Sequence, residues 1–389
     1  MQIHPLITEN AALEALCKRM ATADFVAVDT EFMRENTFWP ELCLVQISDG
    51  KEAAAIDPKA PGLDLAPLLD LLVNNEDVLK IFHAGGQDIE IVFNLTGKTP
   101  HPLFDTQIAS MALSQGEQIG YSNLVDSWLG IHLDKGARFT DWARRPLDKR
   151  QIDYAIGDVT HLAEIFPRML DELRKTGRGI WLDQEMERLA DPSNYSVDPG
   201  EAWKRVRISS RKAEVLGRLK AIAAWREMEA REKNLPRGRI VKDETLADIA
   251  SHPPRSQEEL GKVRGLSASW KTNDIGARLM NAIGNAAPLP REEMPERDPS
   301  RPGLGREGTL VADLLKLLLK IRSREINVAA RLLARSDDLE LLAAGVRNGL
   351  PILEGWRFEQ FGRDALDLVE GRMAFAVRDG KLLMTRTES

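Results

Sequence analysis

The chain has 389 residues, 43% hydrophobic and 29% charged, which suffices for two or three domains with their own cores. It contains no apolar run of 18 residues and no basic start followed by an apolar segment. We therefore predict neither a membrane span nor a secretory signal. The two cysteines, Cys17 and Cys43, predict no disulfide framework and no zinc cluster, so a reducing, cytoplasmic location is expected.

Charge is unevenly distributed along the chain, although the net charge is only −7. Residues 1–200 carry 18 Lys and Arg against 32 Asp and Glu, whereas residues 201–290 carry 18 against 11. The remaining residues are balanced. An acidic first half followed by a basic middle suggests that one domain binds metal ions and another holds a polyanion, although helix surfaces can also differ this much by chance.

The first 190 residues predict an α/β layer with a mixed sheet, since strands come first and strand–helix alternation follows. Strands are expected at 24–30, 42–48, 52–56, 78–82 and 103–104. Helices are expected at 67–73 and 87–95, and from Asp105, which is predicted to cap a helix running through 113. From there to about residue 190 the pattern is typical of helices.

Two linkers divide the rest of the chain, one at 190–200 and a proline-rich one at 288–308. Residues 204–286 show helical patterns and no convincing strand, and residues 309–375 are again helical in pattern. Two helical units of similar size suggest a duplicated module, although their residue-level similarity is weak.

Acidic side chains occur at positions typical of a catalytic site. Asp29 and Glu31 end an apolar strand and, being two apart, share one face of it. Asp88 follows tandem glycines at a strand-to-helix junction, and Tyr154 lies four residues before Asp158, on the same face of a helix. Each feature by itself is also typical of a solvated strand end, a helix N-terminal charge or a surface pair. Together, the four acids and the tyrosine could converge on one site.

These motifs resemble the DEDD family of 3′→5′ exonucleases, in its tyrosine subclass. The strings VDTEF, FHAGGQD, LFDTQIA, DWARRPL and YAIGDV resemble those of the ribonuclease D family in particular. The resemblance implies a ribonuclease-H-like exonuclease domain at 1–190, an HRDC domain at 204–286 and a second, divergent HRDC-like domain at 309–375.

The resemblance also implies two divalent metal ions, Mg²⁺ or Mn²⁺, which favour hard oxygen ligands. Asp29 would bridge both ions, Glu31 and Asp158 would complete the site that binds the attacking water, and Asp88 would support the second ion through water. Tyr154 would orient the attacking water, because a phenol with a pKa of about 10 is hardly ionised at neutral pH.

Further residues are candidates for contact with the substrate. We predict substrate contacts from Thr30, Phe32, Met33, His83, Trp142 and Arg145, and Arg144 lies beside Arg145. Phe32 and Met33 could stack on the terminal base or sugar, or fill the core. His83 could equally be a structural residue at the strand end. Twelve Lys and Arg between 204 and 240, with Trp203 and Trp225 among them, are candidates for binding the RNA backbone.

These observations predict a monomeric, metal-dependent 3′→5′ exoribonuclease that releases mononucleotides from structured RNAs such as tRNA precursors, away from membranes. A proofreading-like DNA exonuclease would use the same metal chemistry. A non-catalytic RNA-binding protein with a decayed site is the alternative from another class, although the intact set of acids argues against it. An NTPase is not expected, because Val92 replaces the required first glycine before Gly97-Lys98-Thr99.

Overall fold

A six-stranded sheet forms the centre of the first part of the chain in the computed structural model, which describes residues 1–133, 136, 140–196, 198–294 and 304–386. The strands are β1 (Gln2–Ile3), β2 (Phe25–Met33), β3 (Glu41–Ser48), β4 (Glu52–Ile56), β5 (Leu79–Phe82) and β6 (Leu103–Asp105). Their order is β1-β4-β3-β2-β5-β6. The pairs β4–β3 and β3–β2 are antiparallel and the others parallel, which confirms the predicted mixed sheet.

Helices cover both faces of this sheet. They are α1 (Asn10–Met20), α2 (Ala66–Val73), α3 (Gly86–Thr96), α4 (Thr106–Ala112), α5 (Tyr121–Leu129), α6 (Lys149–Thr176) and α7 (Asp183–Ala190). The α1 helix was not predicted. The prediction that everything from 113 to about 190 is helical was wrong in part, because Gly130 ends α5 in the left-handed conformation and α6 begins only at Lys149.

Successive side chains of β2 point to opposite faces of the sheet, so they contact different helices. Val26 and Val28 pack in the core with α1, α2 and α3. Ala27 packs in the core with α6, on the opposite face. Asp29 and Glu31 share the face of Ala27, since side chains two apart point the same way. Alanines at 53, 55, 155 and 163 are buried in the same core and let α6 lie close to the sheet.

Two helical units follow. The first contains α8 (Ala213–Glu232), α9 (Arg237–Ile240), α10 (Asp243–Ser251), α11 (Gln257–Leu260) and α12 (Asp274–Gly284). The second contains α13 (Arg306–Glu325), α14 (Ala330–Leu333), α15 (Ser336–Ala343), α16 (Gly355–Arg357) and α17 (Arg363–Val369). In the described part of the chain, no helix is both long enough and apolar enough to span a bilayer.

A hairpin of β7 (Met373–Arg378) and β8 (Lys381–Arg386) ends the described chain. This hairpin was not predicted, although Asp379-Gly380 between two β-rich runs is a strong turn signal. Both turn residues have positive φ, 53° and 73°.

A constant offset of 93 residues relates the two helical units. Their first three helices begin at 213 and 306, 237 and 330, and 243 and 336. The backbone repeats at the same offset: the Leu235 N–H donates to the Ala230 carbonyl, as the Val328 N–H does to Ser323, at 2.9 and 3.0 Å. This repeat supports a duplicated module, whose bounds at 204–286 and 309–375 remain a prediction.

Gly217 on α8 provides a test of packing in the first helical unit. A Cβ at this position would lie 1.9 Å from the Ala287 carbonyl oxygen, so Gly217→Ala forces the backbone of that segment to move. We expect a loss of about 2 kcal/mol in the free energy of unfolding, measured by denaturation followed by circular dichroism. Gly238→Ala, where a Cβ meets nothing within 4 Å, is the matched control. Equal stability of the two variants would contradict this packing.

Candidate active site

A cavity of about 850 Å³ lies where the end of β2 meets α3, α5 and α6. The residues lining it include all four predicted acids and the predicted tyrosine, namely Asp29, Glu31, Asp88, Tyr154 and Asp158. Chain positions separated by more than a hundred residues are thus brought to one place by the sheet and the helix packed across it.

Three of the acids form a tight cluster. Carboxylate oxygens of Asp29, Glu31 and Asp158 all lie within 4.8 Å of one another. Adjacent turns of α6 carry Tyr154 and Asp158 toward the sheet. Helix α6 is fixed at its start by a capping box, in which the Asp148 side chain accepts from the Gln151 N–H and the Gln151 side chain accepts from the Asp148 N–H.

Asp88 lines the same cavity from the first turn of α3. Its carboxylate accepts a hydrogen bond from the Thr30 hydroxyl. Thr30 points to the α3 side of the sheet because it alternates with Asp29 and Glu31. Burial raises the pKa of Asp88 to about 7, although the bond from Thr30 opposes that shift. The Asp88 carboxylate is therefore positioned by Thr30, which lies between Asp29 and Glu31.

Asp29 shows the electrostatic cost of the cluster. Burial is the largest cause that raises its pKa well above the ordinary value, followed by the negative charges of Asp88, Asp158 and Glu31. A divalent cation between these oxygens would relieve both the desolvation and the repulsion. The donors in this cluster are all carboxylate oxygens, which suits Mg²⁺ or Mn²⁺.

Asp105 holds the loop that directly precedes α3 and its residue Asp88. Its side chain accepts from the N–H groups of Gln107 and Ile108, which confirms the predicted cap of α4. It also accepts from Ala84 and Gly85, at 3.2 and 2.8 Å. Gly85 is required here, because a Cβ would lie 2.5 Å from Phe82 Cβ.

Two tyrosines meet α6 at the cavity. Tyr154 lies on α6, and its ring is 6.3 Å from that of Trp142, which is buried and also lines the cavity. Tyr121, at the start of α5, donates its hydroxyl to the Asp158 carbonyl oxygen. This bond ties α5 to the turn of α6 that carries the metal-ligand candidate Asp158.

The predicted substrate residues fall into two groups. Thr30, Phe32, Met33, His83 and Trp142 line the cavity. Both ring nitrogens of His83 already have protein partners, since Nε2 donates to the Ile119 carbonyl at 3.0 Å and Nδ1 lies 2.9 Å from the Thr106 hydroxyl. Burial lowers the pKa of His83, so the ring is neutral near pH 7.

Arg145 and Arg144 are not among the residues that line the cavity. The Arg145 guanidinium instead makes two bonds to the carboxylate of buried Asp57, at 2.7 and 2.6 Å, and one to the Cys43 carbonyl. Its positive charge compensates Asp57 at the end of β4. This location does not support the predicted substrate contact.

Other lining residues were not predicted as site residues. They are Arg34, Glu35, Ala84, Gln87, Gln107, Gly120, Tyr121, Ser122, Asn123, Leu133, Thr140, Asp141 and Leu162. Arg34 and Glu35 lie three and four residues after Glu31, so their proximity to the first acidic motif was an available signal. The polar residues near 120 carry no local signal, because only the tertiary packing of α5 against α6 brings them to the site.

Two known protein families match most of this chain. A family described as 3'-5' exonuclease matches residues 5–174, and the HRDC domain family matches residues 215–283. Among curated relatives, the Ribonuclease D of Sphingobium indicum is 78% identical over 388 residues, and that of Zymomonas mobilis is 66% identical over 388 residues. Each alignment covers 100% of both chains.

A solved structure is similar over nearly the same extent. The crystal structure of Escherichia coli RNase D, described as an exoribonuclease involved in structured RNA processing, superposes with a TM-score of 0.78 at 30% identity. The match covers 95% of this chain and 99% of that one, so the helical units are included in the likeness.

The repulsion at Asp29 predicts that removing its charge raises stability and lowers activity. A carboxyl group whose pKa is raised by folding stabilises the folded state fully at a pH below its unfolded pKa of about 4. This stabilisation is lost as the pH rises through the raised pKa. In EDTA at pH 8, Asp29→Asn should therefore raise the melting temperature, by about 3 °C, and the gain should be smaller at pH 5. The same variant should lose hydrolysis, because it removes a ligand charge.

The matched control is Asp153→Asn, an exposed acid on α6 that pairs with Lys149. Differential scanning calorimetry should show no gain for it at either pH. An Asp29→Asn protein that melts at or below the wild-type temperature in EDTA at pH 8 would argue against an unfavourable buried charge at this position.

Proposed function

This chain belongs to the ribonuclease D family and is a 3′→5′ exoribonuclease, and we propose that it trims the 3′ ends of structured RNAs such as tRNA precursors. The described role of the Escherichia coli relative in structured RNA processing supports this substrate class. Release of mononucleotides is proposed because a site that binds a chain end advances by one nucleotide at a time.

The observation that carries the mechanism is the cluster of three carboxylates, with Asp88 and Tyr154 in the same cavity. We propose that Asp29, Glu31, Asp88 and Asp158 hold two divalent cations, Mg²⁺ or Mn²⁺, and that Asp88 acts through water. When bound there, such ions would activate water and stabilise charge on the leaving oxygen.

Tyr154 is proposed to orient the attacking water by a hydrogen bond from or to its hydroxyl. It lies on the same face of α6 as Asp158, one turn earlier, so its ring borders the acidic cluster. A phenol with a pKa of about 10 is nearly all neutral at pH 7, which makes orientation a better assignment than proton abstraction.

Phe32 and Met33 are proposed to contact the terminal base or sugar. They directly follow the acidic motif, line the cavity and are only half-buried. Apolar contact of this kind tolerates any base, as an exonuclease requires.

The basic first helical unit is proposed to hold the body of the RNA. Its positive charge is opposite to that of the acidic catalytic part. We propose a monomer, because both helical units dock on the catalytic part of their own chain. We also propose that it acts in the cytoplasm, because its two cysteines suit a reducing compartment.

The direct test is a time course with a 3′-extended tRNA and a 3′-blocked copy of it, with Mg²⁺ or Mn²⁺ and with EDTA. We expect stepwise shortening and free mononucleotides only for the open 3′ end with metal. Equal digestion in EDTA would contradict the metal assignment. Release of oligonucleotides, or shortening of the blocked tRNA, would contradict action from the 3′ end.

Tyr154→Phe should lower kcat by about tenfold to a hundredfold, because the water loses its orienting group while the carboxylates remain. Calorimetric titration with Mn²⁺ should give unchanged binding. Tyr195→Phe is the control, since the Tyr195 hydroxyl donates to the Leu189 carbonyl and the residue does not line the cavity. Comparable turnover in wild type and Tyr154→Phe would exclude the proposed role.

A further inference from the structure

The two helical units touch the catalytic part through the same turn of the repeated module. We define corner 1 as residues 233–237, between α8 and α9, and corner 2 as residues 326–330, between α13 and α14. The corners are related by the 93-residue offset. Each contains an asparagine with positive φ, Asn234 at 47° and Asn327 at 55°.

Asparagine suits this position because it tolerates the left-handed conformation that ends a helix. The residue after each asparagine, Leu235 or Val328, donates its N–H back to the helix, as such a cap requires. The conformation leaves the Asn234 side chain and the Asn327 carbonyl available to the catalytic part. What the two corners bind there differs.

Corner 1 binds the loop that follows β2. The Asn234 side-chain oxygen accepts hydrogen bonds from the backbone N–H groups of Phe38 and Trp39, each at 3.1 Å. The Arg237 guanidinium lies 4.4 Å from the centre of the Phe38 ring. Phe38 itself is only 8% exposed and belongs to the hydrophobic core of the first helical unit.

The same loop forms one wall of the catalytic cavity. Arg34 and Glu35, four and three residues before Phe38, line the cavity directly after Phe32 and Met33. Arg34 is also held by two bonds to Glu90 on α3, at 2.6 and 2.8 Å. The segment from Met33 to Trp39 is therefore fixed at one end by the sheet and at the other by Asn234.

Corner 2 binds the loop between α4 and α5. The Asn327 carbonyl accepts from the Ser114 hydroxyl and from Arg178, and the Ala329 N–H donates to the Met111 carbonyl at 2.8 Å. The Arg178 guanidinium also bonds the Ala112 carbonyl, at 2.7 Å. The start of this loop is thus held by the second helical unit.

The end of that loop forms another wall of the cavity. The Ile119 carbonyl accepts from His83 and Gln107, both of which line the cavity, each at 3.0 Å. Gly120 and Tyr121 follow and line it too. Two loops that border the same cavity are therefore each attached to a corresponding turn of the repeat.

We propose that Asn234 is a positioning residue for the reaction: through Phe38 and Trp39 it fixes the wall of the cavity formed by Arg34 and Glu35. The helical units then have a second task besides holding RNA, which is to set the shape of the site that receives the terminal nucleotides. This inference rests on the exoribonuclease activity and is independent of the tRNA assignment.

The test compares two substitutions at one position. Asn234→Gly keeps the left-handed backbone and removes the acceptor, whereas Asn234→Asp keeps both. The substrates are a single-stranded RNA tetranucleotide and a 3′-extended tRNA, assayed with Mn²⁺. We expect Asn234→Gly to raise KM for the tetranucleotide by about fivefold or more, from two lost hydrogen bonds, with Asn234→Asp close to wild type.

The control is Asp379→Gly, at an exposed hairpin residue that also has positive φ and does not line the cavity. It should leave the tetranucleotide KM unchanged. Thermal denaturation checks that each variant is folded at the assay temperature.

A wild-type KM of Asn234→Gly on the tetranucleotide would overturn the inference and leave the exoribonuclease activity intact. An equal rise in KM for Asn234→Gly and Asn234→Asp would also overturn it, since the acceptor would then be irrelevant. If the wild-type protein hydrolyses the tetranucleotide normally but does not trim the tRNA, the result contradicts the proposed tRNA substrate alone.

Discussion

The close approach of α6 to the exposed end of β2 is the constraint on which the catalytic part depends. Small side chains, Ala27 on the strand and Ala155 on the helix, let the two elements pack closely. As a result Asp29 and Asp158 face each other in a buried, mutually repulsive arrangement. Such an arrangement is unfavourable for folding, so it persists because the surrounding core imposes it. A site that is unfavourable when empty is well suited to binding cations.

The acids were predictable because each lies in a local pattern with a fixed spacing. Asp29 and Glu31 are two apart on a strand, and Tyr154 and Asp158 are four apart on a helix, so one motif fixes two orientations at once. The order of elements also gave the mixed sheet. Their joint location in one cavity required the family resemblance, because no local rule relates a strand at residue 29 to a helix at residue 158.

The remaining features depended on contacts that no local pattern encodes. Arg145 was a candidate for contact with the substrate, whereas its guanidinium compensates buried Asp57. Tyr121 was missed because a hydrogen bond to the Asp158 backbone, formed only in the folded chain, brings it to the cavity. The internal repeat is weak in the residue sequence and clear in the backbone, where the first three helices of each unit begin at a constant offset of 93 residues.

The repeat also explains how two copies of one module could take different tasks. Corner 1 docks through the Asn234 side chain, and corner 2 through the Asn327 main chain, so the second contact constrains its side chains less. The first unit lies in the basic region of the chain, whereas the residues that include the second are balanced in charge. Docking on the catalytic part is thus common to both copies, while the positive charge suited to a polyanion is concentrated in one. Duplication of a docking turn therefore accounts for the attachment of two separate cavity walls more simply than two independent interfaces.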